Sequence, residues 1–126
     1  MGKNNVIKDK YLIKLTGLTT LMLGENSEIT EQSLGNLSNL MTLNLSMNSN
    51  IRNISMLTNL SSLDLLGNEI ITDDQLIYLT NLTSLNLIGN FTITTKAISK
   101  LSKLTKIKIM ESGIVIDDVR HIRDVY

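Results

Sequence analysis

Residues 79–90 read LTNLTSLNLIGN, and residues 57–68 read LTNLSSLDLLGN, which differs at only three positions. Two more stretches share the frame L-x-x-L-x-x-L-x-L-x-x-N: LTGLTTLMLGEN at 15–26 and LSNLMTLNLSMN at 37–48. A degenerate fifth copy, LSKLTKIKIMES, occupies residues 101–112. The starts of the copies lie 22, 20, 22 and 22 residues apart. Such fixed spacing is the sequence signature of a repeat architecture.

The L-x-L core of each copy alternates with a period of two, which predicts a short strand with one apolar face. If each copy adds one parallel strand about 4.8 Å from the last, five strands make a sheet roughly 20 Å wide. The inward residues of the five strands are predicted to be Leu21/Leu23, Leu43/Leu45, Leu63/Leu65, Leu85/Leu87 and Ile107/Ile109.

An asparagine closes each copy except the fifth, where Ser112 takes its place. An amide side chain both donates and accepts hydrogen bonds, so it can satisfy backbone groups that a bend leaves unpaired. We therefore expect a buried structural ladder that weakens in the fifth coil. Its members are Asn26, Asn48, Asn68 and Asn90.

The segments between the copies predict short helices. Thr72 and Gln75 have the spacing of a capping box, and Leu76 and Leu79 then fall on one side of a helical turn. Asp73/Asp74 and Asp117/Asp118 stand at helix starts, where negative charge is favoured, so we interpret them as capping residues and not as cation ligands. The second coil is two residues shorter and is expected to replace the helix with tighter or extended structure.

The frame resembles the leucine-rich repeat, whose signature is L-x-x-L-x-L-x-x-N followed by a further apolar residue. That residue is Ile29, Ile51, Ile71 and Ile93 here. The stretch IITDDQLIYLTNLTSLNL (70–87) is similar to the I-T-D repeats of F-box-associated and many bacterial proteins. The stretch NIRNISMLTNLSSLDL (50–65) is more similar to the internalin and phosphatase-regulator types, so the subclass stays open.

The resemblance implies an α/β fold: a right-handed solenoid with a parallel β-sheet on its concave face and short helices or turns on its convex face. We divide the chain into an N-terminal half-repeat or cap (1–14), five repeats (15–116) and a C-terminal capping helix (117–126). Val119, Ile122 and Val125 recur every three residues, which suits that helix. Residues 2–7 align with residues 24–29, so the chain starts within a repeat; either this half-coil is a cap or the array was longer.

Composition narrows the function classes. The formal net charge is zero, which gives no overall attraction to nucleic acid or anionic lipid, and no apolar run reaches membrane-spanning length. The sequence contains no cysteine and no secretory signal, so we expect a cytoplasmic location. It offers no nucleophile–base pair, metal cluster or phosphate-binding glycine loop, so we expect neither catalysis nor a cofactor.

The family resemblance places ligand binding on the concave face. Apolar residues follow the strands there and can mark a contact site, or they can simply pack under a loop. Lys106 and Lys108 have strand spacing and could steer an acidic partner, or they could be a solvated edge. This predicted face lacks Trp, Tyr and Arg, the usual interface hot spots. The candidate partner-binding residues are Met22, Asn44, Met47, Asp64, Leu66, Asn86, Ile88, Lys106, Lys108 and Met110.

The sequence therefore favours a non-catalytic protein–protein interaction module with a protein partner, and not with nucleic acid or a membrane. Two alternatives stay open: a structural fragment or spacer of a longer repeat protein, and an F-box-type substrate-recognition arm. An uncovered first coil would also permit end-to-end self-association.

Overall fold

The computed structural model describes residues 7–25 and 27–126. These residues form one parallel sheet, in which the strands are arranged in chain order. The strands are β1 (Thr20–Met22), β2 (Thr42–Asn44), β3 (Ser62–Asp64), β4 (Ser84–Asn86), β5 (Lys106–Lys108) and β6 (Asp124–Val125). The predicted parallel sheet of stacked coils is confirmed, with one strand more than the sequence indicated.

The middle residue of each of the strands β1 to β5 points into the core. Leu21 pairs in register with Leu43, Leu43 with Leu63, Leu63 with Leu85, and Leu85 with Ile107. These side chains form one continuous column, and Leu63 is only 2% exposed. The column exists because the coils have nearly equal lengths, so identical positions stack on each other.

Short helical turns line the side of the coils opposite the sheet. They are α1 (Asp9–Leu12), α2 (Glu31–Leu34), α3 (Asp73–Leu76) and α4 (Thr95–Ile98), and a 3₁₀ turn follows at Ile116–Val119. The predicted capping box is present before α3, where the backbone N–H of Thr72 donates to Gln75 Oε1 at 2.8 Å. None of the described helices is long and apolar enough to cross a membrane.

The second coil contains no helix between β2 and β3, as its shorter length predicted. Asn53 Oδ1 instead accepts hydrogen bonds from the backbone N–H and the hydroxyl of Ser55, which closes a tight turn. Ile54 and Leu57 still reach the core and are buried. The second coil is therefore two residues shorter because a turn closed by the Asn53 side chain replaces the helical turn.

The predicted capping helix over 117–126 is wrong. Only the 3₁₀ turn Ile116–Val119 is helical there, and Asp124–Val125 is strand β6, in parallel register with Lys106 and Ile107. The three-residue spacing of Val119, Ile122 and Val125 is the L-x-x-L-x-x-L start of the repeat frame itself. This coil is 18 residues long from Ile107 to Val125, so a search at a period of 22 misses it.

At the other end, the predicted half-repeat or cap (1–14) is described only from residue 7. Residues 8–12 form the start of a coil, in which α1 packs beside α2 and Leu12 is buried. The alignment of residues 2–7 with 24–29, and the role predicted for Asn26, involve positions outside the described residues.

Candidate functional site

The first and third residues of β1 to β5, and the first residue of β6, point away from the core and form what we call the solvent face of the sheet. Parallel register places these side chains in two rows. One row is Thr20, Thr42, Ser62, Ser84, Lys106 and Asp124; the other is Met22, Asn44, Asp64, Asn86, Lys108 and, by continuation, Tyr126. Of the predicted partner-binding residues, Met22, Asn44, Asp64, Asn86, Lys106 and Lys108 lie on this face.

The other four predicted residues, Met47, Leu66, Ile88 and Met110, lie just beyond the strands, and we call them the rim. Backbone hydrogen bonds between coils continue here, from Met47 N–H to the Leu66 carbonyl (2.9 Å) and from Gly89 N–H to the Met110 carbonyl (3.1 Å). The rim is thus held by the same ladder as the strands. Met47 is 52% exposed and Met110 64% exposed, while Leu66 and Ile88 are half-buried.

Beyond β2, β3, β4 and β5 the rim requires a left-handed backbone at the third residue after the strand. Gly67 and Gly89 have φ of 59° and 66°, and Met47 and Glu111 adopt φ of 59° and 53° despite their side chains. The Met47 side chain lies over the next coil, because a methyl group added to the Gly67 Cα would come 2.8 Å from Met47 Sδ. Glycine at position 67 therefore makes room for the methionine.

Three polar residues of the solvent face are engaged with the backbone. Asn44, Asp64 and Asn86 each accept a hydrogen bond from the backbone N–H two residues later, at 2.8, 2.9 and 3.1 Å. These Asx turns end the strands and direct the chain into the rim. The residues were predicted as partner contacts; their geometry gives them a positioning role as well, which the sequence reasoning missed.

Asp64 is the centre of this network. Its carboxylate also accepts hydrogen bonds from Ser46 Oγ (2.9 Å) and from Asn86 Nδ2 (3.1 Å), which come from the coils on either side. Three donors on one half-buried carboxylate fix its orientation and tie three coils together. These bonds hold the middle of the solvent face in one arrangement.

The C-terminal end of the face combines charge with an aromatic ring. Lys106 Nζ lies 5.7 Å from the centroid of the Tyr126 ring, and Arg123 pairs with Asp124 at 3.2 Å. The prediction that this face lacks Tyr is wrong at this end, because the last coil brings Tyr126 beside Lys106. Only the tertiary structure shows this, since the sequence suggested a helix here.

The buried asparagines hydrogen-bond both within and between coils. Asn68 Nδ2 donates to the carbonyls of Leu45 and Asn48, each at 3.0 Å, while its Oδ1 accepts from the N–H groups of Ile70 and Ile71. Asn48 and Asn90 each donate Nδ2 to one carbonyl of the preceding coil, that of Gly24 and that of Asn68, and their Oδ1 atoms accept from two N–H groups of the following bend. In the fifth coil Ser112 Oγ accepts from Ile114 N–H, and the Gly113 backbone N–H donates to the Asn90 carbonyl.

Two further ladders escaped the sequence reasoning. Asn39, Asn59 and Asn81 each donate Nδ2 to a carbonyl of the preceding coil, at 3.0, 2.7 and 2.8 Å. On the helical side, Asp9 and Asp73 accept hydrogen bonds from the backbone and hydroxyl of Thr30 and Thr94 in the following coils. Two sequence features could have indicated these ladders. They are the Asn that recurs in L-S/T-N-L and the acidic residues that start α1 and α3.

Within the described residues no group of three or more His, Cys, Asp or Glu could hold a metal ion. His121 is exposed and lines a shallow depression together with Thr95, Lys96 and Asp118.

The chain is similar to two internalins of known structure from Listeria monocytogenes str. 4b F2365. It shares 28% identity with an internalin (inlF) at a TM-score of 0.70, covering 91% of this chain and 35% of that one. It shares 26% identity with internalin C2 (inlC2) at a TM-score of 0.62, covering 90% and 52% respectively. The chain thus spans about a third to a half of their lengths.

No protein-family model matches the sequence, and no curated protein matches it either. The internalin likeness and the six-stranded sheet together show an α/β leucine-rich-repeat solenoid, as predicted. Of the resemblances in the sequence, the internalin type has this support, and the F-box-associated and phosphatase-regulator types stay hypotheses.

Proposed function

We propose that the chain is a non-catalytic module that binds a protein partner through the rim and the solvent face of its sheet. The observation that carries this proposal is a set of apolar rim side chains: Leu66, Ile88 and Met110 occupy the same position of three adjacent coils, and Met47 lies one position later in the coil before them. Met47 and Met110 are more than half exposed. Apolar residues aligned in adjacent coils offer a contact surface that a single exposed residue does not.

Rigidity supports the proposal. The Asp64 network and the inter-coil backbone bonds hold the rim in one arrangement. A partner that binds a preformed surface does not have to order it, which lowers the free-energy cost of association. The polar middle of the face then contributes orientation, and the rim contributes most of the buried apolar area.

The C-terminal end of the face supplies the anchors. Tyr126 is exposed and lies beside Lys106, and tyrosine is one of the residues that dominate binding energy at interfaces. Lys108 lies on the same strand face and is not in an ion pair within the described residues. This end therefore suits an acidic region of the partner, because complementary charge accelerates association.

Capture experiments with face-specific variants test the proposal. Proteins retained by the immobilised wild-type chain are quantified by mass spectrometry and compared with those retained by the double variant Leu66→Asp/Ile88→Asp. The matched control is Ile77→Asp/Tyr78→Asp, which places the same charges on the helical side, where Ile77 is also half-buried. Loss of specific capture with the rim variant alone supports the proposal, while equal capture by all three contradicts it, provided that all three melt cooperatively.

A second candidate is a structural spacer within a longer repeat protein. The observation that favours it is that the chain covers only 35% and 52% of the lengths of the two internalins. Under this hypothesis the rim variants leave partner capture unchanged both in this chain and in any longer form of it.

End-to-end self-association stays a prediction of its own. Leu15 is 50% exposed, whereas its counterpart Leu37 in the next coil is fully buried. Sedimentation velocity over a range of concentrations should show a mass increase that Leu15→Glu abolishes. A constant monomer mass at all concentrations would exclude this mode of association.

A further inference from the structure

Methionine is segregated from the core of this protein. The buried apolar residues are Leu, Ile, Val and Ala, whereas every methionine among the described residues is exposed. The exposed fractions are 72% for Met22, 50% for Met41, 52% for Met47, 39% for Met56 and 64% for Met110. Stacked identical layers are filled by branched aliphatic side chains, so this core has no irregular gap that calls for a flexible one.

This segregation has a chemical consequence. Oxidation turns a methionine thioether into a polar sulfoxide, which disrupts a core when the methionine is buried. Here the sulfur atoms are on side chains that the packed core does not use. The sequence contains no cysteine, so the methionines are the side chains that a peroxide attacks most readily.

Three of the five methionines belong to the proposed binding surface. Met22 is the third residue of β1 on the solvent face, and Met47 and Met110 lie at the rim beyond β2 and β5. They are its most exposed apolar aliphatic side chains, since Leu66 and Ile88 are half-buried. Met41 precedes β2, and Met56 lies in the turn segment before β3, so both are outside the surface.

We propose that oxidation of Met22, Met47 and Met110 to sulfoxides reversibly makes the binding surface polar without unfolding the solenoid. The effect on a partner rests on the proposed function, but the effect on the surface does not. Sulfoxides at these positions reduce the apolar area that a partner can bury, and so weaken its binding.

The modification is a two-electron oxygen transfer. Hydrogen peroxide delivers one oxygen atom to the thioether sulfur, its O–O bond breaks, and water leaves, so that sulfur is oxidised and peroxide reduced. Methionine sulfoxide reductases reverse the step with two electrons from a dithiol, which becomes a disulfide while the oxygen leaves as water.

The first experiment tests whether the fold survives. The full chain is titrated with hydrogen peroxide, and peptide mapping follows the gain of one oxygen, about 16 Da, at each methionine. We expect Met22 and Met110 to react before Met56, in the order of their exposure, with an unchanged circular dichroism spectrum and a cooperative melt. Loss of cooperative unfolding on complete oxidation would overturn the proposal.

The second experiment tests the surface, with a phenyl-substituted chromatography matrix as the probe. Oxidation should shorten the retention of the wild type and of the control Met41→Leu/Met56→Leu, and should have much less effect on Met22→Leu/Met47→Leu/Met110→Leu. Reductase treatment should restore the wild-type retention. An equal loss of retention in all three proteins would show that these three methionines do not control the surface.

The third experiment repeats the partner capture with oxidised chain. Capture should fall several-fold for the wild type, recover after reductase treatment, and stay unchanged for the triple leucine variant. If the Leu66→Asp/Ile88→Asp variant abolishes capture but oxidation does not, the inference fails and the proposed function stands. If neither change affects capture, the proposed function fails, while the first two experiments still decide the effect on fold and surface.

Discussion

Asn90 donates its side-chain amide to the backbone carbonyl of Asn68 at 2.6 Å, which joins the same position of two successive coils. Both side chains are almost completely buried. Their oxygen atoms meanwhile accept N–H groups of the bend that follows each strand. One side chain thus satisfies the turn of its own coil and a carbonyl of the preceding coil.

Replacing Asn68 by alanine should lower the free energy of unfolding by about 1–3 kcal/mol, because it leaves buried backbone groups unpaired. Urea unfolding followed by circular dichroism measures the change. Asn59→Ala is the matched control, since the Asn59 amide also bonds to a neighbouring coil but is exposed to water. Equal losses for the two variants would contradict the importance of burial.

Leu63→Ala should cost about 2–5 kcal/mol of unfolding free energy, as expected for a large-to-small change at a buried site. Leu63 lies in the central column between Leu43 and Leu85. Leu66→Ala, three residues later and half-buried, should cost clearly less. A melting temperature that moves equally in the two variants would argue against the inward and outward assignment of these positions.

Gly89→Ala isolates the cost of the left-handed backbone. The added methyl group would have ordinary contacts of 3.7 Å or more with Gly67, so space is not limiting, but φ is 66°. We expect a loss of about 1–2 kcal/mol from the strained conformation. Gly35→Ala is the control, because it ends α2 with φ of −58° and has open space around it. Thermal unfolding that ranks Gly35→Ala below Gly89→Ala in stability would refute this account.

Asp9 gives stability a defined dependence on pH. Burial of the carboxyl tends to raise its pKa, but hydrogen bonds from the Thr30 hydroxyl, the Thr30 backbone and the Ser33 hydroxyl outweigh this and hold the pKa below the ordinary 3.8. Since the folded-state pKa is the lower one, the stabilisation is fully present above pH 3.8 and is lost as the pH falls through the folded-state value.

Asp9→Asn should remove this part of the acid sensitivity. Comparison of urea midpoints for wild type and variant from pH 7 down to pH 2 measures it, and the gap between the two proteins should narrow at the acid end. A gap that is constant over the whole range would show that Asp9 does not titrate in this way.

The sixth strand can be tested by hydrogen exchange. The Ile109 N–H donates to the Tyr126 carbonyl at 2.7 Å, as the Leu87 N–H donates to the Lys108 carbonyl at 2.8 Å. Ending the chain after Arg123 should therefore make the Ile109 amide exchange faster, while the Leu87 amide stays protected. Unchanged protection of Ile109 would show that β6 does not pair with β5.

The strands and their stacking could be predicted from the sequence because each coil repeats the same local pattern. The alternation of Leu85 and Leu87 indicates a strand, and the equal spacing of the copies dictates that Leu63 stacks on Leu85. The prediction failed at Val119, Ile122 and Val125, because a three-residue spacing is common to a helical turn and to the start of the repeat. The 18-residue offset between Ile107 and Val125 removed the cue that would have separated the two.

The sequence predicted which residues lie on the candidate site, but not which hydrogen bonds these residues make. Strand alternation suffices to turn Asn44, Asp64 and Asn86 outward, yet it does not show that they close Asx turns and that Asp64 joins three coils. Nor does it bring Tyr126 beside Lys106, since that contact depends on how the last coil closes.

The sequence by itself determined the stacking of the coils, the aliphatic column and the shortened second turn, because these depend on periodicity and coil length alone. Only the tertiary structure decided which polar side chains form hydrogen bonds between coils. It also decided that the Met47 side chain lies over Gly67 and that Asp124–Val125 forms a sixth strand. Those features depend on contacts between residues about 20 positions apart, and such contacts exist only after the coils have stacked.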